Sequence, residues 1–163
     1  MSNLVIRRCE LRDVEALTEG NLALARETEA KGLDAATVRA GVRAVVADPT
    51  KGFYLVAEQG GRLVGQVMIT YEWSDWRNAV FWWVQSVYVW PEHRRRGIFR
   101  RLHEELVAMA HRSGNVCGLR LYVEKENRKA QATYAALGLA PNHYEFYEIE
   151  FPPERSRAPT PPR

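Results

Sequence analysis

Pro91-Glu92-His93-Arg94-Arg95-Arg96-Gly97-Ile98-Phe99-Arg100-Arg101-Leu102 is the stretch whose reading decides the fold. Before it stands 79–89, the most apolar and aromatic run in the chain, and after it Leu102, Leu106 and Met109 recur at helical spacing. The segment therefore joins an interior strand to the start of an amphipathic helix. The first turn of a helix leaves backbone N–H groups unpaired and carries the positive end of the helix dipole, so a phosphate-sized anion docks there with little rearrangement. Gly97 lets a backbone approach closely, and the arginines add charge-assisted hydrogen bonds. No Gly-Lys-Ser/Thr follows, and the run is not Gly-x-Gly-x-x-Gly, which counts against a nucleoside triphosphate or NAD.

On the N-terminal side, 4–8 alternates as a first strand and Asp13 stands where an N-cap belongs, ahead of a helix to about Glu29. Asp34 caps a second helix carrying Val38, Val42 and Val45, and Asp48-Pro49 stops it. Strands at 53–58 and 63–71 form a hairpin around Gly60-Gly61. Strand 79–89, apolar on both faces, belongs inside the sheet. On the C-terminal side follow a helix from about 97 to 112, a strand at 116–123, a helix at 127–137 and a last strand near 144–151. The order β-α-α-β-β-β-α-β-α-β predicts an α/β fold on a mixed, mostly antiparallel central sheet with crossover connections.

A chain of 163 residues that is 46% hydrophobic and 26% charged makes one globular domain, placed at 3–151. Five of the eight prolines fall in 152–163, a Pro/Arg-rich tail expected to be disordered. The formal charge of +3 hints at an anionic partner. It is unevenly placed. Glu92 against Arg94, Arg95, Arg96, Arg100 and Arg101 gives the loop +4, and Glu154 against Arg155, Arg157 and Arg163 gives the tail +2, so the remainder is −3. One concentrated, phosphate-sized site fits this distribution better than a nucleic-acid surface, for which the basic residues would line a face. No apolar run approaches the ~20 residues of a bilayer span, and Met1 to Glu10 lacks a signal-peptide core, so neither export nor membrane association is expected. Cys9 and Cys117 are far apart, and His93, His103, His111 and His143 have no zinc-ligand spacing; a cytoplasmic protein without a metal is expected.

Arg94-Arg95-Arg96-Gly97-Ile98-Phe99 resembles the [QR]-x-x-G-x-[GA] loop of the GNAT N-acetyltransferases, departing at Phe99, where that family has a small residue. Asn127 and Tyr134, in Asn127-Arg128-Lys129-Ala130-Gln131-Ala132-Thr133-Tyr134, match the Asn and Tyr that the family carries seven residues apart on its next helix. The similarity extends over the element order from about 4 to 150.

This resemblance implies direct transfer of an acetyl group from acetyl-CoA to a primary amine, the acceptor being a small molecule. Carried over, the loop from Arg94 through Arg95, Arg96, Gly97, Ile98, Phe99 and Arg100 holds the diphosphate. The backbone of Val87, Tyr88 and Val89 pairs with pantetheine as an added strand would. Asn127 and Tyr134 lie two turns apart on one helix face, and Tyr134 is the candidate general acid for the departing thiolate. Asn127 also suits a helix N-cap. Phe99 is compatible with the loop if its ring turns into the helix–sheet core rather than the phosphate cradle. The attacking amine must lose a proton, and Glu72 ranks first as base ahead of Glu27, Glu29 and Asp75.

All five tryptophans lie between Trp73 and Trp90. Tyr71, Trp73 and Trp76 with Glu72 and Asp75 are read as an aromatic, acid-rimmed acceptor pocket, with Gln85 orienting substrate through water. The same aromatics also suit sheet packing or a subunit interface, which leaves a homodimer open. Two other classes compete: a nucleic-acid-binding module, recognised by salt-steep affinity, and a non-catalytic acyl-CoA sensor, which would bind acetyl-CoA without turnover.

Overall fold

The computed structural model describes residues 3–151. The expected tail at 152–163 lies outside them. Five strands form one sheet in sequential order: β1 (Leu4–Arg8), β2 (Phe53–Gln59), β3 (Arg62–Ser74), β4 (Ala79–Val89) and β5 (Val116–Leu121). The first four pair antiparallel, and β5 joins β4 in parallel. Helices α1 (Val14–Glu29) and α2 (Ala35–Ala47) separate β1 from β2, α3 (Ile98–Ser113) crosses from β4 to β5, and α4 (Arg128–Ala136) follows β5.

Alternation along the strands divides the core in two. On one face Leu55, Val67, Ile69, Trp82 and Val84 pack against Ile98, Leu102 and Leu106 of α3. On the other, Tyr54 and Val56 meet Val14 and Leu17 of α1 and Val42 and Val45 of α2. The β4 strand, flanked by β3 and β5, is interior as its composition predicts.

Asp34 caps α2 as expected, accepting the Thr37 N–H at 2.8 Å. Asp13 does not cap α1. It takes a helical conformation, accepts the Glu10 N–H at 2.7 Å, and receives both terminal nitrogens of Arg7, which also reaches Glu58. Burial alone would raise the Asp13 carboxyl, but the Arg7 guanidinium and the Glu10 amide outweigh it and hold it below the ordinary range.

The expected last strand at 144–151 is absent. These residues run without regular structure, with Tyr144, Phe146, Tyr147, Ile149 and Phe151 all exposed. Alternating aromatics and glutamates suit a strand, but a strand exists only where a neighbouring edge pairs with it and its side chains find packing partners. The adjacent aromatics Phe146 and Tyr147 also interrupt the alternation.

Candidate active site

Two features meet at the C-terminal end of β4. The first is a parting of strands. β5 pairs with β4 only from Val80↔Val116 to Val84↔Leu121, so the β4 backbone from Gln85 to Val89 has no β5 partner. On its other side this same stretch stays bonded to β3 through Gln66↔Tyr88 and Gly65↔Val89. Between Met68↔Gln85 and Gln66↔Tyr88 two β4 residues oppose one on β3, a bulge in which Ser86 takes φ +48°. A non-glycine residue held in that left-handed region inside a strand costs about 1–3 kcal/mol and persists only where the surroundings impose it. Sequence reasoning missed the bulge, since neither serine nor its neighbours ask for such a backbone.

The second feature is the loop after β4. Trp90-Pro91 opens a single 3-10 turn over Pro91–His93, Arg95 has φ +61°, and Gly97 has φ +74°. Left-handed residues on either side of Arg96 curl the chain ahead of α3, and such turns make anion-binding concavities. The first α-helical bond of α3 runs from the Arg101 N–H to the Gly97 carbonyl. The amides of Ile98, Phe99 and Arg100 precede it, so they have no intrahelical acceptor. A Cβ at Gly97 would meet nothing within 4 Å, so glycine is needed there for its φ, and the space beside the loop is open. The residues present thus fit a diphosphate in the cradle and an extended pantetheine arm along the free edge of β4.

Ile98, buried at 4% exposure, seats this helix start on the sheet. Its methyl group lies so close to Gly65 of β3 that a Cβ there would fall 2.7 Å away. Of the arginines, Arg95, Arg96 and Arg100 are exposed around the loop, whereas Arg94 is otherwise engaged. Arg94 donates to the Val89 carbonyl at 2.8 Å and to Glu27 at 2.6 Å, and Glu27 also accepts the Tyr88 hydroxyl at 2.8 Å. The Arg94 side chain therefore ties the end of α1 to the end of β4. Burial opposes ionisation of Glu27, yet the Arg94 and Tyr88 hydrogen bonds leave its carboxyl below the ordinary range.

Asn127 caps α4, accepting the Ala130 N–H at 3.0 Å. Two turns on, Tyr134 is half-buried, edge-on to the Phe99 ring at 5.8 Å. Burial pushes the Tyr134 phenol up, which keeps it protonated at neutral pH, as a proton donor must be. The Phe99 ring turns neither into the helix–sheet core, which Ile98 occupies, nor away to solvent; it stands between Tyr134 and His103.

The structure does not bring the five expected acceptor-pocket residues together. Tyr71 packs beside Phe53 on the α3 face, and alternation puts Trp73 with it, while Glu72 points to the opposite face. Asp75 accepts the Trp76 N–H at the tip of the β3–β4 turn, where Trp76 is 86% exposed. That tip lies six residues along β4 from Gln85, roughly 20 Å from the gap. Glu72 holds Trp83 and Arg120, one on each carboxylate oxygen. Gln85 donates to Thr70, and Glu29 is exposed and paired with Lys31. Cys117 is exposed, and Cys9 lies on the connection after β1 against the Tyr54 carbonyl, so neither thiol stands at the gap.

The sheet thus opens beside an anion cradle, and the Tyr134 ring packs on Phe99 at the start of α3. The chain belongs to the acetyltransferase (GNAT) family, whose model matches residues 20–139. Among solved structures it is similar to a possible acetyltransferase from Clostridium difficile 630, with 44% identity, TM-score 0.86, and 91% of this chain and 97% of that one covered. It also shares its fold with a ribosomal-protein-alanine N-acetyltransferase from Brucella melitensis biovar Abortus 2308 (21% identity, TM-score 0.73, 92% and 100% covered). A third likeness is to AAC(6')-Iy in complex with the bisubstrate analog CoA-S-monomethyl-acetylneamine (17% identity, TM-score 0.72, 92% and 100% covered). No curated protein matches the chain.

Proposed function

We propose that this protein transfers the acetyl group of acetyl-CoA directly to the primary amine of a small molecule. The observation that carries the reading is the β4 backbone from Gln85 to Val89, which has no β5 partner, running into the amide cradle at Arg95 to Arg100. Acetyl-CoA supplies the activated thioester. The amides of Ile98, Phe99 and Arg100 receive the diphosphate, and Arg95, Arg96 and Arg100 add charge around it. The edge of Val87, Tyr88 and Val89, which lacks a β5 partner and whose Val89 carbonyl is held by Arg94, aligns the arm as an extra strand and delivers the thioester to the bulge at Ser86.

Attack of the amine nitrogen on the thioester carbon forms the C–N bond, and collapse of the intermediate breaks C–S. Tyr134 gives its phenolic proton to the departing sulfur, general-acid work worth about 10²–10⁴ in rate. Glu72 spends both oxygens holding Trp83 and Arg120, so it fixes the wall of the acceptor side. The proton of the amine leaves to water at the open face. Gln85, anchored on Thr70, orients the acceptor beside the bulge. With no thiol at the gap and the Ser86 hydroxyl bonded to Tyr54, transfer proceeds without an acyl-enzyme.

Calorimetry with acetyl-CoA, followed by thiol release with a panel of amines, tests this. Micromolar-range binding and amine-dependent release are expected. No binding would end the reading, and binding without release would make the protein an acyl-CoA sensor. Tyr134→Phe should lower kcat by about 10²–10⁴ while leaving the acetyl-CoA Kd unchanged; unaltered turnover would remove Tyr134 from the mechanism.

A further inference from the structure

On one face of the sheet α2 packs on β2 and α1 lies over β3 and β4, reaching Tyr88 near the C-terminal end of β4, while the face is partly open farther back at Trp83 and beyond the end of β5 at Tyr122. On that open part Trp83 and Tyr122 stack at 4.3 Å, and Phe146 tilts onto Tyr122 at 4.9 Å. These three rings form a continuous strip. Tyr122 is 57% exposed and Phe146 63%, so the strip faces solvent rather than closing a core. Its inner ring is rigid, because the Trp83 indole N–H is bonded to Glu72, which Arg120 holds from its other oxygen while lying over Phe81 at 3.6 Å.

The strip begins where the strands part. Tyr122 follows Leu121, the last residue paired with β4, and Trp83 stands two residues before Gln85, the first without a β5 partner. An acceptor lying on these rings therefore has one end at the gap. The opposite border is acidic. Residues 144–151 carry Phe146 on Tyr122 and then bring Glu148 and Glu150 toward Lys31, just beyond α1. Lys31 is held most strongly by Glu29, whose hydrogen bond raises it above the ordinary lysine range, and both later glutamates act in the same direction. Glu145, Glu148 and Glu150 give 144–151 three negative charges and no positive one. A partly exposed aromatic stack with an excess of carboxylates at its border attracts a molecule that joins an aromatic body to an ammonium group.

We infer that the acceptor is an arylalkylamine, its ring on the Trp83–Tyr122–Phe146 strip and its amine directed to the gap beside Gln85. The inference rests on the acetyl-transfer reading for its chemistry, but not for its binding site. It moves the acceptor from the Trp73–Trp76 end of the β3–β4 hairpin to the middle of β4.

The experiment compares 2-phenylethylamine and tryptamine with n-butylamine and spermidine, by thiol release at saturating acetyl-CoA and by direct calorimetry of each amine. The wild type should favour the two aromatic amines at least tenfold in kcat/KM over n-butylamine. Tyr122→Ala and Phe146→Ala, both at exposed positions that tolerate truncation, should each raise the KM for 2-phenylethylamine about tenfold, with the acetyl-CoA Kd within twofold of wild type. Tyr122→Phe should restore the wild-type KM, since the ring and not the hydroxyl is required. Equal use of all amines, preference for spermidine, or an unchanged KM in both alanine variants would overturn the inference. If acetyl-CoA failed to bind, acetyl transfer would fall, while calorimetry of 2-phenylethylamine on wild type and Tyr122→Ala would still decide the strip: binding lost in the variant supports it, and no binding to either sinks it.

Discussion

Gly65→Ala tests whether the cofactor cradle owes its position to the sheet beneath it. A Cβ at Gly65 would lie 2.7 Å from the Ile98 Cγ2 and 3.4 Å from the Leu102 Cδ1, both in side chains that are at most 4% exposed. Carbon atoms in contact sit about 3.5–4.0 Å apart, so the start of α3 must lift by roughly 1 Å. Ile98 cannot simply swing aside, because the clashing methyl is on its branched Cβ. Overpacking of this kind costs about 1–3 kcal/mol, and Tm should fall by roughly 2–4 °C for each of them. The same displacement carries the amides of Ile98, Phe99 and Arg100 away from the line of β4, so the acetyl-CoA Kd should rise about tenfold, or ~1.4 kcal/mol. Gly118→Ala is the control. Its Cβ would fall 2.8 Å from the Phe81 ring, a comparable clash at the closed end of β4 and β5, remote from the cradle. Thermal melts and acetyl-CoA calorimetry on both variants separate the effects: both lose stability, and only Gly65→Ala loses affinity. If Gly65→Ala melted lower yet bound acetyl-CoA like Gly118→Ala, the seating of α3 would not set the cradle.

Phe99→Ala should lower kcat by up to about tenfold and leave the acetyl-CoA Kd within twofold, since the ring packs on Tyr134 and an edge-on aromatic pair is worth about 0.5–1.5 kcal/mol; steady-state kinetics beside calorimetry checks it, and a weakened Kd with unchanged kcat would mean that the ring supports the cradle instead. Asp13→Ala should cost about 3 kcal/mol, the lower end for a broken buried ion pair, because Arg7 keeps Glu58. The folded Asp13 carboxyl lies below its unfolded value near 3.9, so its contribution is complete above about pH 4 and is lost as pH falls through the folded value. Urea melts from pH 7 to pH 3 should show the gap between wild type and Asp13→Ala closing on acidification; a constant gap would show that Asp13 acts through packing.

The route from strand to Arg-rich loop to helix was legible because each part has a local cause: apolar on both faces, a proline to end the strand, a glycine for the left-handed turn, and helical spacing after it. Gly60-Gly61, both with positive φ, likewise announced the β2–β3 hairpin. What escaped depends on distant partners. Nothing in Arg94 foretells that it grips Glu27 on α1 rather than a phosphate, and the Ser86 bulge is imposed by the register with β3. The tryptophans misled because closeness in sequence says little about faces: Trp82 enters the α3 core, Trp83 emerges on the other side with Glu72, and Trp76 stands at a turn. The stretch 144–151 has strand-like residues, but whether an edge receives them is not a property of the stretch.

The parting of β4 and β5 also divides the molecule by how it can assemble. β2, β3 and β4 follow one another through hairpins, contacts that form quickly because little chain must be ordered first. β5, with α4 after it, joins instead through a parallel crossover and a ladder of five registered pairs, the kind of longer-range contact that forms more slowly. A ligand in the gap touches both parts, and its binding energy is added to their docking. At one hundred times its Kd that amounts to about 2.7 kcal/mol. The thioester would then act as a structural splice, slowing amide exchange in β5 and α4 far more than in β1, and the enzyme at rest would be most loosely joined where it works.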